Sequence, residues 1–185
     1  MAEELENRSE LLFEESKKFS NEMGLPEDLI LKIYKAETDW EFIIKIDAML
    51  EAAVKSVVKK RLNRGSYDDE EKDSFDGFVD AMAMNGRVSL LSFLKVDGCP
   101  EEITRTIEAV RRLRNGFAHD IRLVDSTLIQ IIKARPDKSH LIQSLSQMEQ
   151  YREKELIGMY ESDGGFLRFL ILDATLRFLV IAYNS

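Results

Sequence analysis

Cysteine is almost absent. Cys99 is the only one, so no disulfide can close within the chain, and a reducing, cytoplasmic setting is expected. Without a base near it in sequence, that thiol reads as a packing residue. Proline (three) and glycine (nine) are scarce, which permits long helices. Histidine occurs only as His119 and His140, and no cluster of His, Cys and carboxylates has metal-ligand spacing. Neither a metal nor a cofactor is therefore expected. His140 has polar neighbours in Asp137, Lys138 and Ser139 and reads as a surface residue. The most apolar stretch, Phe166 to Tyr183, is barely long enough to cross a bilayer and carries Arg168, Asp173 and Arg177. It reads as a buried helix, with no membrane association expected. The acidic start, Met1 to Glu6, lacks the apolar centre of a signal peptide. No alternating strand pattern, internal repeat or low-complexity tract is present.

What remains is a chain of 185 residues, 44% hydrophobic and 32% charged, the profile of one globular domain with a substantial core. Its net charge of −8 excludes a broad phosphate-binding surface but leaves room for a small basic site. The predicted architecture is all-α, a compact helical bundle with a core over about residues 38–135. Additional N- and C-terminal helices are expected, the latter packed on the core over about 138–183.

Individual helices are legible from caps and periodicity. A charged first helix is expected from about Ala2 to Met23 and a short one from Glu27 to Ala36, Pro26 suiting its start. Thr38 or Asp39 caps a long helix to Leu62, whose Phe42, Ile46, Leu50, Ala53, Val54 and Val57 recur at helical spacing and mark the core centre. Asn63-Arg64-Gly65-Ser66 closes it. The acidic run Asp68-Asp69-Glu70-Glu71 reads as a solvated helix start rather than a divalent-metal site. A helix through Phe75, Phe78, Val79 and Met82 follows, then a short one over Arg87 to Leu94. Glu101 and Glu102 open a helix that ends in Arg114-Asn115-Gly116-Phe117-Ala118-His119. Leu128 to Ala134 forms a short helix that Arg135-Pro136 breaks. Two long helices, about Lys138 to Tyr160 and Gly165 to Tyr183, complete the chain around the turn Asp163-Gly164-Gly165. Asp173 and Arg177, four apart, can pair as a buried or interfacial ion pair.

At about 100° per residue, Ile103, Ile107, Val110 and Phe117 share one side of the motif helix, and Arg114 falls only about 20° from Ile103. An arginine in an apolar stripe needs a carboxylate, carbonyls or a ligand, because burying a free charge is costly. Asp47 and Glu51, at the edge of the long helix's stripe, are the candidate acidic partners. On an unbroken helix His119 points about 140° away from Arg114. A bend at Gly116, or a two-fold dimer in which each chain contributes to one cleft, would bring the two together. Arg112, Asn115 and His119 share a face. Arginine, an amide and histidine suit phosphodiester chemistry, since a guanidinium forks onto phosphate oxygens and an imidazole moves protons near neutral pH. The same residues could instead be structural, with Arg114 pinning the helix and His119 favourable at its C-terminus.

Arg114-Asn115-x-x-x-His119 resembles the Arg-x(4–6)-His signature of HEPN domains, including the polar residue after the arginine. The segments Trp40 to Leu62, Gly86 to Phe93 and Leu113 to Asp120 also resemble the layout of the mannitol-operon repressor family. Together these resemblances cover about residues 38–135. They imply a helical, generally dimeric domain, and in many HEPN members a metal-independent endoribonuclease of toxin or antiviral type. On that reading Arg114 holds the scissile phosphate, His119 is general base or acid, Asn115 orients the site, and Asp47 or Glu51 supports it. RNA, a second copy of the chain and an antitoxin would be the partners. The repressor resemblance implies instead a non-catalytic transcriptional regulator acting through protein contacts.

Overall fold

The computed structural model describes residues 26–64, 68–148 and 150–184, together with Glu14, Ser16, Lys17, Ser20 and Asn21. Apart from those residues, the expected helix over Ala2 to Met23 lies outside the described part, as do Gly65 and Ser66.

Nine α-helices and no strand occur among the described residues. After the short α1 (Leu29–Tyr34), Thr38 resolves the choice of cap: its Oγ1 accepts from the Glu41 N–H at 3.1 Å and starts α2 (Asp39–Leu62). Acidic residues in the first turn of α2 and Lys59, Lys60 and Arg61 in its last complement the helix dipole. Its expected stripe is buried throughout: Phe42, Ile46, Leu50, Ala53, Val54 and Val57.

The acidic run does begin a helix. Asp68 caps α3 (Asp69–Ala81) by accepting from Glu71 N–H at 2.9 Å. This helix rides on the end of α2, where Lys59 reaches Asp80 at 2.8 Å, and only Val79 of α3 is buried. Reciprocal bonds between Ser89 and Ser92 start α4 (Leu90–Val96), later than the expected Arg87. The motif helix is α5 (Glu101–His119), followed by a short 3-10 turn, Ile121–Leu123. Thr127 and Gln130 box the start of α6 (Leu128–Lys133).

The segment expected as one helix from Lys138 to Tyr160 is two, α7 (Lys138–Ser146) and α8 (Glu153–Ser162). The break is Gln147, which takes the left-handed φ of 53° and sends its Nε2–H to Thr106 Oγ1 at 3.0 Å. Thr106 in turn donates to the Ser144 carbonyl at 2.7 Å, so this junction is tied to α5.

The last helix, α9 (Gly164–Asn184), is no appendage: it packs against α1, α2, α5, α7 and α8. Leu167, Ile171, Phe178 and, on the opposite side, Leu172 and Leu179 are all buried, which accounts for its apolar composition within the fold. Asp39 and Arg168 clasp it to the rest. Asp39 accepts from Arg168 Nε at 2.5 Å and from Leu128 N–H at 2.6 Å, while Arg168 Nη1 donates to the Ala36 carbonyl at 2.6 Å. Asp173 and Arg177 do pair, at 2.9 Å, but on the surface rather than buried, with Arg177 exposed. No helix among the described residues is long and apolar enough to cross a membrane.

Candidate functional site

The helix α5 is continuous through Gly116 and ends at His119. The bend that Gly116 would have allowed is not made, so Arg114 and His119 of one chain diverge by about 140°. Leu113 and Phe117 are buried and hold the motif's backbone against the core, while His119 is exposed with no hydrogen-bond or ion-pair partner among the described residues.

Asp47 and Glu51 are the acidic partners of this helix, but chiefly for Arg111. Its Nη1 donates to Asp47 Oδ1 at 3.1 Å and to Glu51 Oε2 at 3.2 Å, and its side chain is 16% exposed. Arg114 has only a looser contact, Nε to Asp47 Oδ2 at 3.5 Å, and its side chain is 41% exposed. A long side chain can bury its stem in an apolar stripe and deliver its head to water, which reconciles Arg114's wheel position with its exposure. Arg114 Nη1 also donates to Asn115 Oδ1 at 3.2 Å. The expected pin thus exists, displaced by one turn. Helical periodicity missed it because Arg111 flanks the apolar arc, where a charged residue ordinarily reads as solvated.

The charges here are finely placed. Burial of Asp47 raises its carboxyl pKa, against the pull of Arg111 and Arg114. Burial also pushes Glu51 upward, but hydrogen bonds from Lys55 and Arg111 more than offset it, and Glu51 titrates below its ordinary value.

A second cluster occupies the other face of α5. Arg135 donates to Asp137 from Nε at 2.8 Å and from Nη2 at 3.1 Å, and Arg112 Nη1 lies 3.6 Å from the same carboxylate. Arg135 Nη1 sits over Gly116, 3.9 Å from where a Cβ would be. The bond from Arg135 holds the Asp137 carboxyl below its usual range. In sequence Arg135 marks only the end of a helix beside Pro136; no spacing on α5 could have announced it. Arg112 also borders a recess of about 240 Å³ walled by Asn85, Gly86, Ser92, Lys95 and Glu108.

Other features lie elsewhere. A cavity of about 810 Å³ opens between the starts of α2, α6 and α9; no motif residue lines it, and its Arg168 is already held by Asp39. No group of three His, Cys, Asp or Glu side chains is arranged to hold a metal among the described residues. Cys99 is partly buried and burial raises its thiol pKa, the opposite of an activated nucleophile. His140 is exposed, as expected.

Comparison with known proteins returns no matching family model, no matching curated protein and no matching solved structure.

Proposed function

We propose that this chain is a HEPN-like domain that cleaves RNA without a metal, as a dimer whose cleft combines Arg114 of one protomer with His119 of the other. The observation carrying this reading is the division of labour between arginines. Arg111 makes the close bonds to the acidic pair, which leaves Arg114 anchored by Nε yet 41% exposed, with Asn115 beside it. A guanidinium used only as a structural pin would be buried in the close pair, as Arg111 is.

In the proposed reaction Arg114 grips the non-bridging oxygens of the scissile phosphate and stabilises their developing charge. A His119 takes the proton of the ribose 2′-hydroxyl, whose oxygen bonds to phosphorus as the bond to the 5′-oxygen breaks. The leaving oxygen takes its proton from solvent water, so each cleft needs one Arg114 and one His119. The products are a 2′,3′-cyclic phosphate and a 5′-hydroxyl end.

The test is cleavage of end-labelled RNA in EDTA by the parent, by Arg114→Ala and by His119→Ala. Either substitution alone should abolish cutting. An equal mixture of the two variants should recover about a quarter of the parental rate, because half the dimers are mixed and each holds one intact cleft. Undiminished cleavage by either variant would sink the proposal.

A second reading, a regulator acting through protein contacts, is favoured by the net charge of −8 and by the exposed acidic start of α3 from Asp68 to Glu71. It predicts no RNA cleavage by the parent at any protein excess.

A further inference from the structure

The face of α5 that carries His119 also carries Arg112 and Gly116, and Arg135 reaches across from the end of α6 to lie over that glycine. One carboxylate, Asp137, serves both arginines. Two guanidiniums on one carboxylate leave a net positive charge in a chain that is otherwise acidic. Arg135 engages Asp137 through Nε and Nη2, so Nη1 is left without a hydrogen-bond acceptor among the described residues. Arg112 keeps a 45% exposed side chain, and its recess adds the amide of Asn85, while the Lys95 ammonium there is paired with Glu108 at 2.6 Å. Along the helix Arg112, the Arg135 head above Gly116, and His119 form a ladder about 10 Å long at about 1.5 Å per residue. That length matches about three nucleotides of a single strand stacked at about 3.4 Å each.

We propose that Arg112 and Arg135, bridged by Asp137, form a phosphate-binding subsite for single-stranded RNA that holds the backbone next to the nucleotide presented to His119. It rests on the reading that RNA is the ligand of this helix, but not on its cleavage. Asp137 gathers the two guanidiniums without cancelling their charge, and its own negative charge opposes the approach of a phosphate. The subsite also answers the problem of an acidic RNA-binding chain: contact is confined to one short strip, and the rest of the surface repels the strand.

The test is equilibrium binding of a fluorescent single-stranded RNA of about 12 nucleotides, in EDTA across a salt series, with His119→Ala as the parent so that nothing is cut. Adding Arg112→Ala and Arg135→Ala should weaken binding at least about tenfold and lower the salt slope by about 1.4, the contribution of two phosphates. Asp137→Asn, which removes a negative charge beside the strand, should tighten binding by about threefold. Its fold should become less stable, since both arginines lose their partner. A purely structural triad would give the opposite sign, with Asp137→Asn binding more weakly as it loses stability; that result overturns the proposal even if the double variant fails to fold. Unchanged affinity and slope in a folded double variant overturn it as well. If those variants are neutral while the chain with His119 intact cuts RNA, the subsite is wrong and the nuclease stands. If they act as expected but that chain never cuts, the subsite stands and the nuclease fails. Absence of any RNA binding overturns both.

Discussion

Asp47 lies between two arginines that it serves unequally, and their removal should be felt unequally. Losing Arg111 strips the close partner from a buried carboxylate, an effect of about 3 kcal/mol. Losing the half-exposed Arg114, with its longer contact, should cost less than about 1 kcal/mol. Urea denaturation of Arg111→Ala and Arg114→Ala would show this order; the reverse order would make Arg114 the structural pin and remove the ground for a functional role. Acid should also separate Asp47 from Asp137. Burial raises the Asp47 pKa above its ordinary 3.8, so its contribution to stability is full below that value and declines as pH rises through the folded pKa. Arg135 lowers the pKa of Asp137, so its contribution is full above 3.8 and declines as pH falls through the folded pKa. Relative to Asp47→Asn and Asp137→Asn, the parent's stability advantage should therefore drift in opposite directions with pH in denaturation curves taken on either side of that value.

At the scale of elements, α2 and α5 were legible because their ends carry explicit signals: Thr38 before an apolar stripe, and Glu101 and Glu102 after Pro100. The break between α7 and α8 was not, because Gln147 is neither glycine nor asparagine and is held in its left-handed conformation by a bond to Thr106 on a distant helix. For the same reason the motif was legible and its setting was not. Arg114, Asn115 and His119 sit close together in sequence, whereas the substitution of Arg111 for Arg114 at Asp47, and the approach of Arg135 to Gly116, are decided by packing between helices. Gly116 illustrates the point. It looked like a hinge, but it lies inside a continuous helix, and an added methyl would meet only Arg135 Nη1 at an ordinary 3.9 Å. Gly116→Ala should accordingly raise stability by about 0.5–1 kcal/mol through helix propensity. A fall in melting temperature would restore the hinge.

Considered whole, Arg114 and His119 face apart on one continuous helix, so the proposed activity belongs to a pair of chains. The specific cleavage rate should fall as protein is diluted through the dimer dissociation range, in step with the mass measured by sedimentation; a rate per chain that is independent of dilution while the dimer dissociates would place the whole site in one protomer. The interior is equally collective. The clasp formed by Asp39 joins the start of α2 to Leu128 and to Arg168, so the core closes only when α9 arrives. On a ribosome, where residues emerge at about 5–20 per second, the motif helix would wait several seconds for its last neighbour. During that interval α2 and α5 display apolar faces that α9 will later cover, and the nascent chain depends on chaperones or on speed. A chain stopped before residue 164 would carry the complete motif without the helix that closes its core, so the proposed activity would arise only after synthesis has passed the point that completes the fold.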